Sequence, residues 1–198
     1  MKNLVNVLEK CGYQTHCVKT KEEALHLSQS LITKGMSVGL GGSTSVSEIG
    51  LLNDLIARDD ITLFNQYEKG ISMEENKNRR RHGMITDMYV TGTNALTKDG
   101  KLVNADGSGN RVAAMIFGPK NVLVIVGKNK IVDTLEDAYK RVMEVAAVKN
   151  VERMNQKSIE MGKTPTKTLD NIANKFTHIK ADEKDRIILI LVDENLGY

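Results

Sequence analysis

The stretch that decides the fold spans residues 87–127 and reads DMYVTGTNALTKDGKLVNADGSGNRVAAMIFGPKNVLVIVG. It contains two apolar runs, residues 88–90 and residues 122–126. Short apolar runs rich in β-branched residues and bounded by turn residues are typical of buried strands. The glycine-rich polar segment between them therefore leaves a strand, which is where an open α/β sheet binds its ligand.

A second stretch, VGLGGSTSVSEI at residues 38–49, has the same order of strand, loop and helix. We call residues 41–45 (GGSTS) the glycine loop. Ser45 and Glu48 have the spacing of a capping box, which predicts a helix from about Val46 to Ala57. Glycines let a backbone approach a ligand, and the free N–H groups of a helix start favour an anion. A tight, well-capped turn without a ligand explains the loop equally well. We expect the two loops to face each other over one small anion.

The rest of the chain alternates between strand and helix patterns. Asp99 and Gly100 predict the turn of a β-hairpin over residues 97–103. A charged helix is predicted over residues 68–83, where a lid is one possible role, and residues 150–185 are expected to form helix fragments and loop. Strands are predicted at residues 13–18, 36–40, 61–64, 87–91, 121–127 and 186–192. This alternation of strands and helices predicts a single three-layer α/β domain over residues 1–198, with a mostly parallel central sheet and one inserted hairpin.

Composition excludes several classes of partner. The chain is 40% hydrophobic and 27% charged, with 4% aromatic residues and no Trp, so a stacking surface for single-stranded nucleic acid is not expected. The net charge of +3 is too small to indicate a polyanion partner. The basic cluster at residues 77–82 is interpreted as a solvated helix face rather than a nucleic-acid contact, because one short run lacks the spread of a groove contact.

The two cysteines, Cys11 and Cys17, indicate no disulfide scaffold, and no Cys and His cluster has the spacing of a zinc site. The sequence shows no signal peptide and no apolar run of membrane-spanning length. We therefore expect a cytoplasmic protein with reduced thiols, no membrane association and no bound metal, and no cofactor is indicated.

Two carboxylates are candidate catalytic groups. Asp106 lies among glycines, where a general base could reach a bound hydroxyl, although an Asp that bonds its own turn is the simpler interpretation. Glu48 is either a site carboxylate or the reciprocal cap of Ser45. Lys128 and Lys130 follow a strand end and either bind phosphate or lie in a solvated loop.

Two residues at the predicted helix after the hairpin also have alternative roles. Arg111 at a helix start is unfavourable on dipole grounds, which indicates an anionic ligand or an acidic neighbour. Asn110 is either a helix N-cap or a ligand contact.

Three segments of the chain resemble the LUD (lactate utilisation) domain family. They are VGLGGSTSVSEIGLL, TGTNALTKDGKLVNADGSGNRVAAMIFGPKNVLVIVGKNKIV and the closing ILVDENLGY. The resemblance covers nearly the whole chain, and its middle block is the specific part. It implies a fold similar to ribose-phosphate isomerase, glucosamine-phosphate deaminase and CoA transferases.

By a more distant likeness to methylthioribose-phosphate isomerase, the glycine loop would grip a phosphate. Glycines and amides within residues 92–111, which we call the second loop, would line the same pocket. With the neighbouring Thr93 and Arg111, the predicted substrate-binding residues are Gly41, Gly42, Ser43, Thr44, Ser45, Gly92, Thr93, Asn94, Asn104, Gly107, Gly109, Asn110 and Arg111. Longer family members often have a cysteine-rich segment before the last strand. Residues 151–184 contain no Cys here, which disfavours an iron–sulfur centre in that segment.

Three functional hypotheses follow. The protein is an enzyme acting on a phosphorylated or carboxylated metabolite, a non-catalytic accessory or sensor in lactate catabolism, or a structural subunit. The resemblance connects it to lactate utilisation only by association. Expected partners are the small anion, other lactate-utilisation proteins and a second copy of the chain.

Overall fold

The centre of the fold is a six-stranded parallel sheet. The computed structural model describes residues 2–198. The strands of the sheet are β1 Gln14–Val18, β2 Ser37–Leu40, β3 Thr62–Phe64, β4 Met88–Gly92, β7 Asn121–Gly127 and β10 Ile187–Val192. They follow the order β1-β10-β7-β4-β2-β3, and every neighbouring pair is parallel. All six strands predicted from apolar runs are present, which confirms the α/β class.

Helices cover both faces of this sheet, which makes three layers. Alternate residues of β7 point to opposite faces, as strand geometry requires. Leu123 and Ile125 join the apolar cluster under α2 and α4, whereas Val122, Val124 and Val126 join the one under α1 and α6. These helices are α1 Lys2–Lys10, α2 Lys21–Leu31, α4 Leu51–Ala57 and α6 Asn110–Ile116.

The hairpin belongs to a second, four-stranded sheet with the order β8-β5-β6-β9. Its strands are β5 Ala95–Thr97, β6 Leu102–Asp106, β8 Ile131–Val132 and β9 Lys175–Ile179. The expectation of helix fragments and loop over residues 150–185 missed β9, because its residues KFTHI are mostly exposed and it is defined by pairing with β6. The predicted turn is present, but only Gly100 has a positive φ, of 94°.

The predicted capping box of Ser45 and Glu48 was wrong. Ser43 caps α3 (Thr44–Glu48), with its hydroxyl accepting from the Val46 N–H at 3.2 Å. Gly50, at φ 84°, then separates α3 from α4, so the single predicted helix is two short ones. A left-handed glycine ends a helix because it turns the chain out of the helical path.

The remaining helices frame the second sheet and the loops. The charged helix α5 (Met73–His82) begins at its Ser72 cap, later than predicted. Helices α7 (Leu135–Arg141) and α8 (Val148–Glu160) join through a π-helical turn at Val142–Ala147, and α9 (Leu169–Ile172) precedes β9. None of the helices within residues 2–198 is long and apolar enough to cross a membrane.

Asp87 holds the amino-terminal edge of the large sheet together. Its carboxylate accepts from the Ser37 N–H at 2.9 Å, the Ser37 hydroxyl at 2.6 Å and the Lys120 amine at 2.7 Å. These donors, the Lys120 amine first, hold the pKa of Asp87 well below its usual range. The hydrogen bonds between Asp87 and Ser37 hold the start of β2 beside the start of β4. The predicted loops emerge at the opposite, carboxyl ends of these strands.

Candidate functional site

Four loops meet at the carboxyl ends of the parallel strands. The glycine loop follows β2, Thr93 and Asn94 follow β4, a 3-10 turn at Lys128–Lys130 follows β7, and residues 193–198 follow β10. We call residues 193–198 the C-terminal tail. Parallel strands put these loops at one edge of the sheet, which is the position in which open α/β sheets bind ligands.

The glycine loop and the loop after β4 touch each other. A Cβ on Gly92 would lie 2.6 Å from the Ser43 hydroxyl, and one on Gly41 would lie 2.5 Å from the Thr91 hydroxyl. Neither position therefore has room for a side chain. Gly42 is exposed, and a Cβ there would meet only the Tyr67 hydroxyl, at 3.8 Å.

Lys130 lies beneath the glycine loop with its amine buried. Its side chain is 3% exposed, and the amine donates to the Ser45 hydroxyl at 2.8 Å and to the Thr93 carbonyl at 3.1 Å. Both acceptors are neutral, and among residues 2–198 Lys130 forms no ion pair. Burial, followed by the positive charges of Arg141 and Arg111, lowers the pKa of Lys130 to about 7, and the nearby Glu48 carboxylate acts in the opposite direction.

The C-terminal tail covers this amine. The Gly197 N–H donates to the Glu48 carboxylate at 2.7 Å, and the Asn129 amide donates to the Gly197 carbonyl at 3.1 Å. A Cβ on Gly197 would lie 2.7 Å from the Ser45 hydroxyl and 3.3 Å from the Lys130 amine. Glu48 therefore anchors the tail instead of capping Ser45.

Arg111 and Asp106 form the buried centre of the second loop. The Arg111 Nε donates to the Asp106 Oδ1 at 3.0 Å, and its Nη atoms donate to the Gly92 carbonyl, the Asn94 side chain and the Ala105 carbonyl. The sequence left two alternatives for the partner of Arg111, an anionic ligand or an acidic neighbour, and the structure shows the acidic neighbour, Asp106. The guanidinium is 6% exposed and already saturated, so it has little left to offer a ligand.

Asp106 also supplies the cap of α6. Its Oδ2 accepts from the N–H groups of Arg111 at 3.0 Å and Val112 at 3.2 Å. Gly109, at φ 90°, is the N-cap residue, so Asn110 is the first residue of the helix and not its cap. The geometry matches the simpler interpretation of Asp106, a carboxylate that bonds its own turn.

The two predicted amides cross-link the second loop. The Asn104 Oδ1 accepts from the Thr93 hydroxyl at 3.2 Å and the Asn94 N–H at 3.1 Å, while the Asn94 Oδ1 accepts from the Ala105 N–H at 3.0 Å. The Asn104 Nδ2, which is buried, finds no acceptor within residues 2–198. Both amides thus shape the loop beside the Lys130 amine.

Two predicted glycines lie elsewhere. A Cβ on Gly107 would lie 2.6 Å from the Asn171 carbonyl, and one on Gly109 would lie 2.8 Å from the Lys175 side chain. These contacts are with α9 and the start of β9. Of the predicted set, Ser45 and Thr93 contact Lys130, and the other residues of 41–45 and 92–94, with Asn104, lie on the same two loops. Gly107 packs against α9 and Gly109 against Lys175 of β9.

Three arginines near the loops were not predicted as site residues. The Arg141 Nε donates to the Asn129 carbonyl at 3.0 Å, and burial lowers the pKa of its guanidinium. The Arg80 Nη1 donates to the Ser108 hydroxyl at 3.2 Å, and the Arg153 Nε donates to the Tyr198 hydroxyl at 2.7 Å. Their sequence positions are ordinary helix positions, so no local pattern could identify them.

Residues 2–198 hold no grouping of His, Cys, Asp and Glu suited to a metal ion. The charged groups beside the two loops are the Lys130 amine, the Arg111 and Arg141 guanidiniums, and the carboxylates of Asp106 and Glu48. On the basic run of α5, Arg80 contacts Ser108, whereas Arg79 is paired with Glu68 and Glu75.

Comparison with one solved structure supports the fold. A DUF162 family protein from Deinococcus radiodurans, solved at 1.70 Å, is similar over 96% of this chain and 94% of its own, with 14% identity and a TM-score of 0.52. A D-ribose-5-phosphate isomerase in complex with phospho-erythronic acid aligns over 66% of each chain, with 17% identity and a TM-score of 0.38.

No protein of curated function matches the sequence. The family comparison is decisive instead, because the LUD domain matches residues 1–192, which include both loops, Lys130 and all six strands of the large sheet. The chain belongs to the LUD domain family.

Proposed function

We propose that this LUD-domain protein binds a small anionic metabolite, phosphorylated or carboxylated, at the carboxyl edge of its large sheet, in the context of lactate utilisation. One observation carries the proposal. The Lys130 amine is buried between the glycine loop and the loop after β4, and only neutral oxygens accept its hydrogen bonds.

A buried cation without a carboxylate partner is costly, and proteins retain such groups mainly where they act. An ammonium has three donors, and Lys130 uses two of them within the protein. Arg141 adds a second positive charge beneath the same loops and forms no ion pair within residues 2–198. An oxyanion placed here would gain a charge-assisted hydrogen bond and relieve the repulsion between the cations.

Lys130 also suits proton transfer better than either predicted carboxylate. A pKa of about 7 lets the amine accept or release a proton near neutral pH. Asp106 is held by Arg111 and caps α6, and Glu48 anchors the tail. If the protein turns its ligand over, the group that moves the proton is therefore Lys130.

The non-catalytic alternative has an observation in its favour. Both predicted carboxylates make structural bonds, and the tail leaves the amine only 3% exposed. A binding or sensing role needs only the cations and the loops. A second copy of this chain and other lactate-utilisation proteins remain predicted partners under either alternative.

Thermal unfolding with a panel of small anions tests the proposal. The panel contains inorganic phosphate, L- and D-lactate, pyruvate and sugar phosphates. A ligand at about a hundred times its dissociation constant adds roughly 2.7 kcal/mol to the free energy of unfolding. We expect at least one anion to stabilise the protein, and Lys130→Met to remove the effect.

Lys128→Met is the matched control. Lys128 is on the same turn, but its side chain is 51% exposed and pairs with Asp193. The proposal is wrong if no anion stabilises the protein, or if the two lysine variants respond equally. Incubation of the stabilising anion with the protein, followed by NMR of the products, then separates the enzyme from the binding protein.

A further inference from the structure

The Lys130 amine has the surroundings of a reactive amine rather than those of a structural ammonium. It is buried, it donates only to neutral oxygens, and the guanidiniums of Arg141 and Arg111 oppose its charge. The Glu48 carboxylate favours the charge but forms no ion pair with the amine, and it accepts instead from the Gly197 N–H at 2.7 Å. Lysines that are desolvated or placed beside other cations react with carbonyl compounds as neutral amines.

Arg141 is held beside this amine by hydrogen bonds to the backbone on both sides of it. Its Nε donates to the carbonyl of Asn129, the residue before Lys130, at 3.0 Å. Its Nη1 donates to the carbonyl of Asn94, and the Lys130 amine donates to the carbonyl of Thr93 at 3.1 Å. The two cations therefore hold consecutive carbonyls of one loop, whose Cα atoms are about 3.8 Å apart.

Arg141 keeps donors that a ligand can use. A guanidinium has five N–H donors, and the two hydrogen bonds of Arg141 occupy only two of them. The side chain is partly exposed, and among residues 2–198 it has no carboxylate partner. Arg111 differs on this point, because it is paired with Asp106. A planar guanidinium with free donors is suited to a carboxylate.

We propose that Lys130 forms an imine with the carbonyl group of a small oxo acid, and that Arg141 holds the carboxylate of the same molecule. A carbonyl carbon and a carboxylate that are one or two bonds apart match two cations on consecutive backbone carbonyls. The inference rests on the proposed function, since it specifies the class of small anion that the site binds. It assigns the negative charge to Arg141, which stays charged near neutral pH, and leaves the amine free to react.

The covalent step is a balanced exchange of bonds. The neutral amine attacks the carbonyl carbon, a C=N bond replaces the C=O bond, and the two amine protons leave with the carbonyl oxygen as water. The Ser45 hydroxyl lies 2.8 Å from the amine, which is close enough to relay these protons to the leaving oxygen. The step consumes no oxidant or reductant, and water reverses it.

Reductive trapping tests the imine. The full chain is incubated at pH 7 with pyruvate and sodium cyanoborohydride, which reduces an imine to a stable secondary amine, and its peptides are analysed by mass spectrometry. We expect a carboxyethyl group on Lys130. A pKa of about 7 leaves about half of its amines neutral at this pH, against fewer than roughly one in a thousand for an ordinary lysine. Lys130→Met should remove the adduct.

Lys128 is the internal control, because it lies on the same turn but is 51% exposed and paired with Asp193. Its labelling at pH 7 should be at least about tenfold slower than that of Lys130. The imine is refuted if Lys130 is labelled no faster than Lys128.

Acetone tests the role of Arg141, because it has the ketone of pyruvate without the carboxylate. Labelling rates of Lys130 are expressed relative to Lys128, which cancels the difference in intrinsic reactivity between the two ketones. We expect pyruvate to exceed acetone by about tenfold, the value of one good charge-assisted hydrogen bond, and Arg141→Gln to remove this preference. Equal relative rates in the wild type refute the carboxylate contact even if the variant fails to fold.

Failure of the proposed function gives a different result. If an anion stabilises the protein in thermal unfolding but pyruvate leaves Lys130 unlabelled, the anion site stands and the imine is wrong. If no anion stabilises the protein, the proposed function is wrong, and the presence or absence of the adduct alone decides the imine.

Discussion

Because Lys130 is buried, its charge should make this protein more stable as the pH rises from about 7 to about 10. The perturbation is Lys130→Met, which keeps the length of the side chain and removes its amine. In the wild type the pKa falls from 10.5 in the unfolded chain to about 7 in the fold. Between these values the unfolded chain binds more protons than the folded one, so stability rises with pH.

The expected difference in the free energy of unfolding between Lys130→Met and the wild type follows from the same two pKa values. Full protonation of the buried amine costs about 5 kcal/mol relative to the neutral form, at about 1.4 kcal/mol per pH unit of the window. Loss of the hydrogen bonds to Ser45 and Thr93 offsets roughly 3 kcal/mol of that. Lys130→Met should therefore be more stable than the wild type by about 2 kcal/mol at pH 6. This advantage should vanish slightly above pH 8, and at pH 9 the variant should be the less stable protein by about 1 kcal/mol.

Urea unfolding followed by far-UV circular dichroism measures the difference at pH 6, 7, 8 and 9. Lys128→Met serves as the control, since it removes an exposed amine from the same turn. A constant difference between the wild type and Lys130→Met would refute the reasoning, because Lys130 would then titrate as an ordinary lysine. If Lys130→Met is more stable and no longer binds anions, then Lys130 is a functional residue that lowers the stability of the fold.

Three further changes test other parts of the structure by the same unfolding assay. Gly41→Ala should lose about 1–3 kcal/mol because its Cβ has no room, whereas Gly42→Ala should change stability by less than about 0.5 kcal/mol; equal losses would contradict this. Arg111→Met should lose roughly 3–5 kcal/mol, because it leaves the Asp106 carboxylate buried without its partner, and a smaller loss than that of a surface arginine variant would count against it. Asp87 has a depressed pKa, so its contribution is present above about pH 4 and lost as the pH falls; Asp87→Asn should flatten that acid decline.

The large sheet was predictable because its strands are continuous apolar runs. Residues 187–192 are buried on both faces, and such strands are recognisable without knowledge of their neighbours. β9 was not predictable, since it is a mostly exposed strand whose existence depends on β6. The break at Gly50 was missed because the pattern of apolar residues continues through it, and only the positive φ marks the end of α3.

The location of the site could be predicted from the sequence, whereas only some of its residues could. The glycines at positions 41 and 92 follow strands, so their position at one edge could be inferred from the chain alone. Arg111 offered two alternatives that only its distance to Asp106 resolves. Lys130 looked like a loop lysine, because its burial is produced by a tail that lies 60 or more residues away in the sequence.

The position of Leu196 and Gly197 over the Lys130 amine has a kinetic consequence. A ligand can reach the amine only after these two residues have moved, since they lie against Ser45 and the amine itself. At high ligand concentration the observed association rate should then reach a plateau set by the opening of the tail, and no further ligand can increase it. Loss of the hydrogen bond between Glu48 and Gly197 should raise the plateau of the association rate. Glu48, which the sequence offered as a candidate catalytic base, would then control the rate of ligand binding.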